Sequence, residues 1–123
     1  MKRFLALMAF SLLLMAARAP LMAAQLVMFD SKYCPFCRQW KKDIGVFYHK
    51  TKEGRQAPLR IVSMDEERPQ DLKNIKGVHY TPTFVLLDGE GREVGRMEGY
   101  NNDEFFFFKL DQLIAKMKKT SGK

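Results

Sequence analysis

Cys34 and Cys37 are the only cysteines in 123 residues. They stand C-x-x-C within Ser31-Lys32-Tyr33-Cys34-Pro35-Phe36-Cys37-Arg38-Gln39-Trp40. That spacing serves thiol–disulfide exchange, a static bridge or half of a metal site. The flanks favour exchange. Gln25 to Phe29 reads as a short buried strand and Arg38 to Lys50 as a helix, so the pair occupies a strand-to-helix turn. Pro35 suits the first helical position, where a missing N–H costs nothing and a fixed φ fits. Cys34 then becomes the N-cap, its sulfur facing the free N–H groups of Phe36 and Cys37 and the positive end of the helix dipole. A thiol so placed is more acidic than usual, which makes Cys34 the expected nucleophile. Cys37 lies one turn deeper on the same face, within disulfide reach, and is the expected resolving thiol. A static bridge across one helical turn closes too small a loop to stabilise much. Structural zinc needs four ligands, and the scattered His49 and His79 supply no second matched pair. The pattern calls for no metal and no cofactor.

The elements that must hold this pair follow an N-terminal segment of a different kind. Met1-Lys2-Arg3 is a basic start, Phe4 to Ala17 an apolar run, and Arg18 to Ala24 ends in small residues. This is the layout of a secretory signal peptide over 1–24, with cleavage near Ala23 or Ala24; the apolar run is shorter than the about 20 residues of a spanning helix. Contact with a membrane is expected only if that signal stays uncleaved. Removing it lowers the formal charge from +7 to +4. The remaining basic residues are dispersed, apart from Lys116, Lys118, Lys119 and Lys123 near the C-terminus. That cluster suits a solvated helix end and a flexible basic tail over 119–123, and it makes no nucleic-acid footprint. Disulfides persist outside the cytoplasm, so an exported chain whose only cysteines form C-x-x-C is expected to handle the thiols of other proteins.

The domain expected over 25–118 reads in chain order as follows. Thr51 to Pro58 is a polar loop, and Leu59 to Asp65 a second strand, parallel to the first through a right-handed crossover. Pro69 opens a short helix over Gln70 to Ile75, which Gly77 ends. Thr83 to Leu87 is a buried strand, Asp88-Gly89-Glu90-Gly91 a hairpin turn, and Arg92 to Glu98 an antiparallel return in which Gly95 marks an edge or bulge. Asn102 or Asp103 caps a last helix over Glu104 to Lys118. Its apolar face gathers Phe106, Phe107, Leu110, Leu113, Ile114 and Met117. Phe105 and Phe108 point away from it, and are expected to pack over sheet edges or loops in preference to forming a partner patch. Neither a repeat nor a second domain is visible.

This order, with Cys34-Pro35-Phe36-Cys37 and Tyr80-Thr81-Pro82-Thr83-Phe84 as its two separated motifs, resembles the thioredoxin fold. The resemblance implies an α/β architecture, β-α-β-α-β-β-α, with a four-stranded mixed sheet flanked by about three helices. It also implies a cis peptide before Pro82, beside the disulfide, and unpaired backbone at Thr81 that a substrate segment can join as an added strand. Leu26-Val27-Met28-Phe29, Ala57-Pro58-Leu59-Arg60 and Glu93-Val94-Gly95-Arg96-Met97-Glu98-Gly99-Tyr100 add a similarity to the periplasmic SoxS-type thioredoxins of bacterial sulfur oxidation. That family is understood to keep the thiol of the sulfur carrier SoxYZ usable, with a membrane thiol transporter as electron donor.

The chain departs from the family in two ways. Met28 stands where thioredoxins carry a buried aspartate, so another group or water must take the proton of Cys37. The dipeptide between the cysteines is Pro-Phe, and Phe36 offers the Cys34 thiolate no side-chain hydrogen bond. The expected function is thiol–disulfide exchange, with Thr81, Pro82, Tyr33 and Phe36 contacting a protein substrate. Trp40 belongs to the rim or to the core, and His79 stays outside catalysis. The alternatives are a disulfide-forming oxidase, which usually carries a long helical insertion absent here, and a copper metallochaperone using the same cysteines.

Overall fold

A computed structural model describes residues 23–121. The signal peptide expected over 1–24 therefore lies, except for its last two residues, outside the described residues. Four strands, β1 (Gln25–Asp30), β2 (Leu59–Ser63), β3 (Thr83–Leu87) and β4 (Glu93–Glu98), form one sheet in the order β2-β1-β3-β4. β1 runs parallel to β2 and antiparallel to β3, and β3 pairs antiparallel with β4. The sheet is mixed, and three α-helices flank it, as the sequence led us to expect. They are α1 (Pro35–Trp40), α2 (Lys52–Gln56) and α3 (Asp103–Ser121).

Alternation along β1 divides the core. Leu26 and Met28 face a cluster with Cys34, Cys37, Trp40, Ile44, Tyr48, Phe84, Phe106 and Leu110. Val27 and Phe29 face a second cluster with Val62, Leu72, Ile75, Val78, Val85 and Leu87. Trp40, with no exposure, anchors the first cluster; its ring centroid lies 5.0 Å from that of Phe84 and 5.5 Å from that of Phe106. Gly45 gives this indole room, because a Cβ there would stand 3.3 Å from the Trp40 ring.

The helix expected from Arg38 to Lys50 is broken into three. α1 ends at Trp40, Lys41–Gly45 widen into a π turn, and Tyr48–Lys50 form one 3-10 turn. Val46 N–H reaches back five residues to Lys41 O at 3.2 Å, and Phe47 leaves helical backbone at φ −126°, ψ −1°. The expected loop over Thr51–Pro58 contains α2. Thr51 caps it by accepting from Gly54 N–H at 2.9 Å, a bond worth about 1 kcal/mol. Gly54 reads as punctuation, yet it is the packing point: an added Cβ would fall 2.0 Å from Tyr48 O.

The helix expected over Gln70 to Ile75 shrinks to a 3-10 turn, Gln70–Leu72. Its backbone closes in three-residue steps, Leu72 to Pro69 O and Ile75 to Leu72 O, which turn Leu72 and Ile75 together into the second cluster. β2 stops at Ser63 instead of Asp65, because Ser63 Oγ takes the Asp65 N–H at 3.1 Å. The β3–β4 register jumps between Leu86, opposite Gly95, and Leu87, opposite Glu93, a bulge on the edge strand β4, and a Cβ on Gly95 would meet the Leu113 side chain at 2.6 Å. Asn102 caps α3 through Phe105 N–H, and the helix continues to Ser121, into the stretch expected as a tail. Phe105 and Phe108 are exposed, and Phe105 lines a pocket with Met97, Glu98, Gly99 and Tyr100 at the end of the edge strand β4.

Two buried features of α2 carry predictions. Burial lifts the carboxyl of Glu53 above the ordinary range, and Asp111 adds to the effect. An acid that holds its proton more tightly when folded loses stability as pH rises from its unfolded value through its folded one. Glu53→Gln is therefore expected to raise the thermal midpoint near neutral pH and to match the parent near about pH 3, as circular dichroism melts would read. Gly54→Ala is expected to cost about 2 kcal/mol or more through backbone overlap, a drop of about 10 °C in the same melt.

Candidate active site

The chain leaves β1 at Asp30 and must turn sharply into α1. Asp65, at the end of β2, holds that turn: its carboxylate accepts from Ser31 Oγ at 2.9 and 3.1 Å and from Lys32 N–H at 2.9 Å. Ser31 Oγ in turn accepts from Tyr33 N–H at 3.2 Å, and Cys34 N–H donates to Ser31 O at 3.2 Å. These donors hold the Asp65 carboxyl below the ordinary carboxylate range, the Lys32 N–H first and the Ser31 hydroxyl second. The parallel pairing of β1 with β2, which sets Asp30 opposite Ser63, brings Asp65 to this turn.

Cys34 is the N-cap of α1, at φ −103°, ψ 104°, with Pro35 at the first helical position. Its Sγ accepts from Cys37 N–H at 3.0 Å. Cys34 and Cys37 are joined in a disulfide, their Cα atoms 5.2 Å apart. Cys34 is 5 % exposed and Cys37 not at all, so the outer sulfur is the one a partner can reach. A cap that offers N–H groups and the helix dipole to a sulfur stabilises its thiolate, and that is the chemistry the arrangement can perform.

Around the cysteines the surface is aromatic and open. Tyr33, Phe36 and Tyr80 are all well exposed. The Thr81–Pro82 peptide is cis. Because β1 and β3 pair Phe29 with Thr83, Pro82 enters the sheet at the end where β1 releases the chain toward Cys34. Pro82 O accepts from Gly99 N–H at 2.7 Å, and Thr83 Oγ1 donates to Tyr80 O at 2.7 Å, so this loop is braced on both sides. Among the described residues no backbone hydrogen bond engages Thr81.

The fold thus brings Tyr33, Cys34, Phe36, Cys37, Thr81 and Pro82 to one end of the sheet. Trp40 belongs to the core and not to the rim, and His79 is exposed on its loop. Among the described residues, no three His, Cys, Asp or Glu side chains gather as metal ligands. Sequence reasoning missed Asp65 and Tyr100. The Tyr100 hydroxyl, pushed up to about 12 by burial and then by Asp43, donates to Asp43 at 2.9 Å and ties the end of β4 to the π turn. Neither contact has a local signal, since both partners are far apart in the chain.

The Asp65 anchor makes a pH prediction. A carboxyl with a lowered folded pKa contributes stability above its unfolded value and loses it as pH falls through the folded one. Asp65→Ala is expected to melt lower than the parent near neutral pH, with the gap closing toward about pH 2.

Comparison with known proteins agrees with this geometry. The profile of the thioredoxin-like domain matches residues 19–114. The reduced periplasmic thioredoxin SoxS of Paracoccus pantotrophus superposes with a TM-score of 0.70 at 39 % identity, covering 76 % of this chain and 97 % of that one. A thioredoxin from Thermus thermophilus gives 0.63 at 28 % identity over 77 % and 76 %. The oxidised C-terminal domain of DsbD from Neisseria meningitidis, 14 % identical, gives 0.56 over 73 % and 79 % and shows the fold alone. No curated protein sequence matches the chain. Profile, superposition and the disulfide-bonded C-x-x-C pair at the head of α1 coincide, and the chain belongs to the thioredoxin-like family of thiol–disulfide oxidoreductases.

Proposed function

We propose that Cys34 is the nucleophile and Cys37 the resolving thiol of a reductase that is exported by a leader over 1–24, works in the periplasm as a domain from residue 25, and restores a protein-bound sulfur to its thiol. The observation that carries this reading is the placement of Cys34 Sγ at the cap of α1, 3.0 Å from Cys37 N–H, as the outer of the two sulfurs. The Cys34 thiolate attacks a disulfide or sulfur adduct, forming a mixed disulfide with one sulfur and expelling the other; Cys37 then attacks Cys34 Sγ, the bond from Cys34 to the substrate sulfur breaks, and two electrons have passed from the pair to the substrate. Tyr33 and Phe36 supply an apolar rim, while Thr81 and Pro82 receive the substrate backbone as an added strand.

The similarity to a periplasmic thioredoxin SoxS supports the compartment and favours a sulfur carrier of the SoxYZ kind as substrate. A membrane thiol transporter then re-reduces the pair. Among the described residues no helix is long and apolar enough to cross a membrane.

Equilibration against a defined thiol buffer, with trapping on Cys37→Ser, tests this. A potential near about −270 mV and a sulfur-carrier protein held on Cys34 are expected. A potential near about −120 mV with many secreted proteins trapped would make the chain an oxidant instead. Cys34→Ser is expected to abolish trapping altogether.

A further inference from the structure

Asp30 is the last residue of β1, and its surroundings are unusual. Its side chain is 13 % exposed; Oδ2 meets Lys41 Nζ at 2.5 Å, while Oδ1 is buried with no hydrogen-bond partner among the described residues. A buried carboxylate oxygen left without a donor is costly, and so invites a role. Alternation fixes where it points. Leu26 and Met28 face the cluster that contains Cys34, Cys37 and Trp40, and Asp30 is the next residue in that row, at the end where the chain turns toward the cysteines.

Lys41 comes to the same place from the other side. Its N–H donates to Cys37 O, so it stands one helical turn beyond Cys37, in the i, i+4 relation that puts two side chains on one face. The ion pair therefore joins the helix that carries Cys37 to the strand row whose Leu26 and Met28 share its buried cluster. Cys37 has no exposure. A thiol sealed among apolar side chains ionises reluctantly, and an inaccessible one cannot hand its proton directly to bulk water.

We propose that Asp30 is the proton acceptor for Cys37 and that Lys41 holds its carboxylate in position. The proposal rests on the reading of Cys34 and Cys37 as nucleophile and resolving thiol. In the resolving step the Cys37 thiol gives its proton to Asp30 Oδ1, directly or through one water. The Cys37 thiolate attacks Cys34 Sγ, the bond between Cys34 and the substrate sulfur breaks, and the departing substrate thiolate takes a proton from solvent. Asp30 afterwards returns its proton to solvent. The other ionisable groups at this end, Lys32 on the preceding turn, Asp65 after β2 and Asp43 bonded to Tyr100, are common to all variants compared.

The reduced full-length protein is mixed with the aromatic disulfide dithionitrobenzoate in a stopped-flow instrument. Attack by Cys34 releases one coloured thiolate and resolution by Cys37 releases the second, so the two steps are read separately. Asp30→Asn is expected to leave the first release intact and slow the second by about 10-fold or more near neutral pH, with the deficit shrinking as pH rises and hydroxide takes over. Lys41→Met, which leaves the carboxylate without its cation, is expected to slow the second release in the same direction, and it serves if Asp30→Asn fails to fold. Second releases at the parent rate in both variants would overturn the assignment while leaving the exchange reaction standing. Absence of any first release in the parent would instead overturn the exchange reading and this proposal with it.

Discussion

The hydrogen bond from Cys37 N–H to Cys34 Sγ, 3.0 Å long at the first turn of α1, is the contact on which the rest depends. It exists only while Cys34 keeps extended backbone and Pro35 begins the helix immediately after it. That abrupt change needs the preceding turn to be rigid, and Asp65 makes it so by binding Ser31 and Lys32 from the end of a different strand. The site is therefore a property of the sheet as much as of the motif. β1 delivers the chain, β2 supplies the anchor, and β3 begins at the Pro82 loop that borders the same end.

Beneath the cysteines, packing does the corresponding work. Trp40 closes α1 and packs against both Phe84 of β3 and Phe106 of α3, which touch each other, with Tyr48 at 6.2 Å. Aromatic contacts of this kind add about 0.5 to 1.5 kcal/mol each beyond their buried area. They also lock the direction of α1, so that the cap points out of the sheet end. The π turn after Trp40 follows from the same crowding. One extra residue in the turn lets Lys41 lean toward Asp30 while Ile44 stays in the core.

The contrast between the two sulfurs gives the site its polarity. Cys34 is reachable and capped by N–H groups; Cys37 is enclosed and faces a strand row that ends in a carboxylate. Outward, the rim of Tyr33, Phe36 and Tyr80 is apolar and uncovered, which suits a partner backbone laid along the Thr81–Pro82 loop more than a small ligand in a cavity.

Much of this was legible in the chain itself. Short-range rules suffice for Cys34 as a cap, Pro35 after it, the buried runs of β1 and β3, the hairpin at Asp88–Gly91 and the Asn102 cap, because each rests on neighbours within a few residues. Where the sequence misled, the competing force came from afar. Gly54 signals a break locally, but it is small because Tyr48 O presses against α2, and a helix forms where a loop was expected. Val46 and Phe47 fit a helical pattern, yet the chain leaves the helix there once Trp40 is fixed against Phe84 and Phe106. The ties from Asp65 to Ser31, from Lys41 to Asp30 and from Tyr100 to Asp43 span 34, 11 and 57 residues. No periodicity encodes such pairs. Spacing alone determined which atoms do the chemistry, since a cap and its thiol are adjacent in sequence. Only the tertiary structure decided what holds them and what faces them, since β-pairing and core packing bring together residues that the chain keeps far apart.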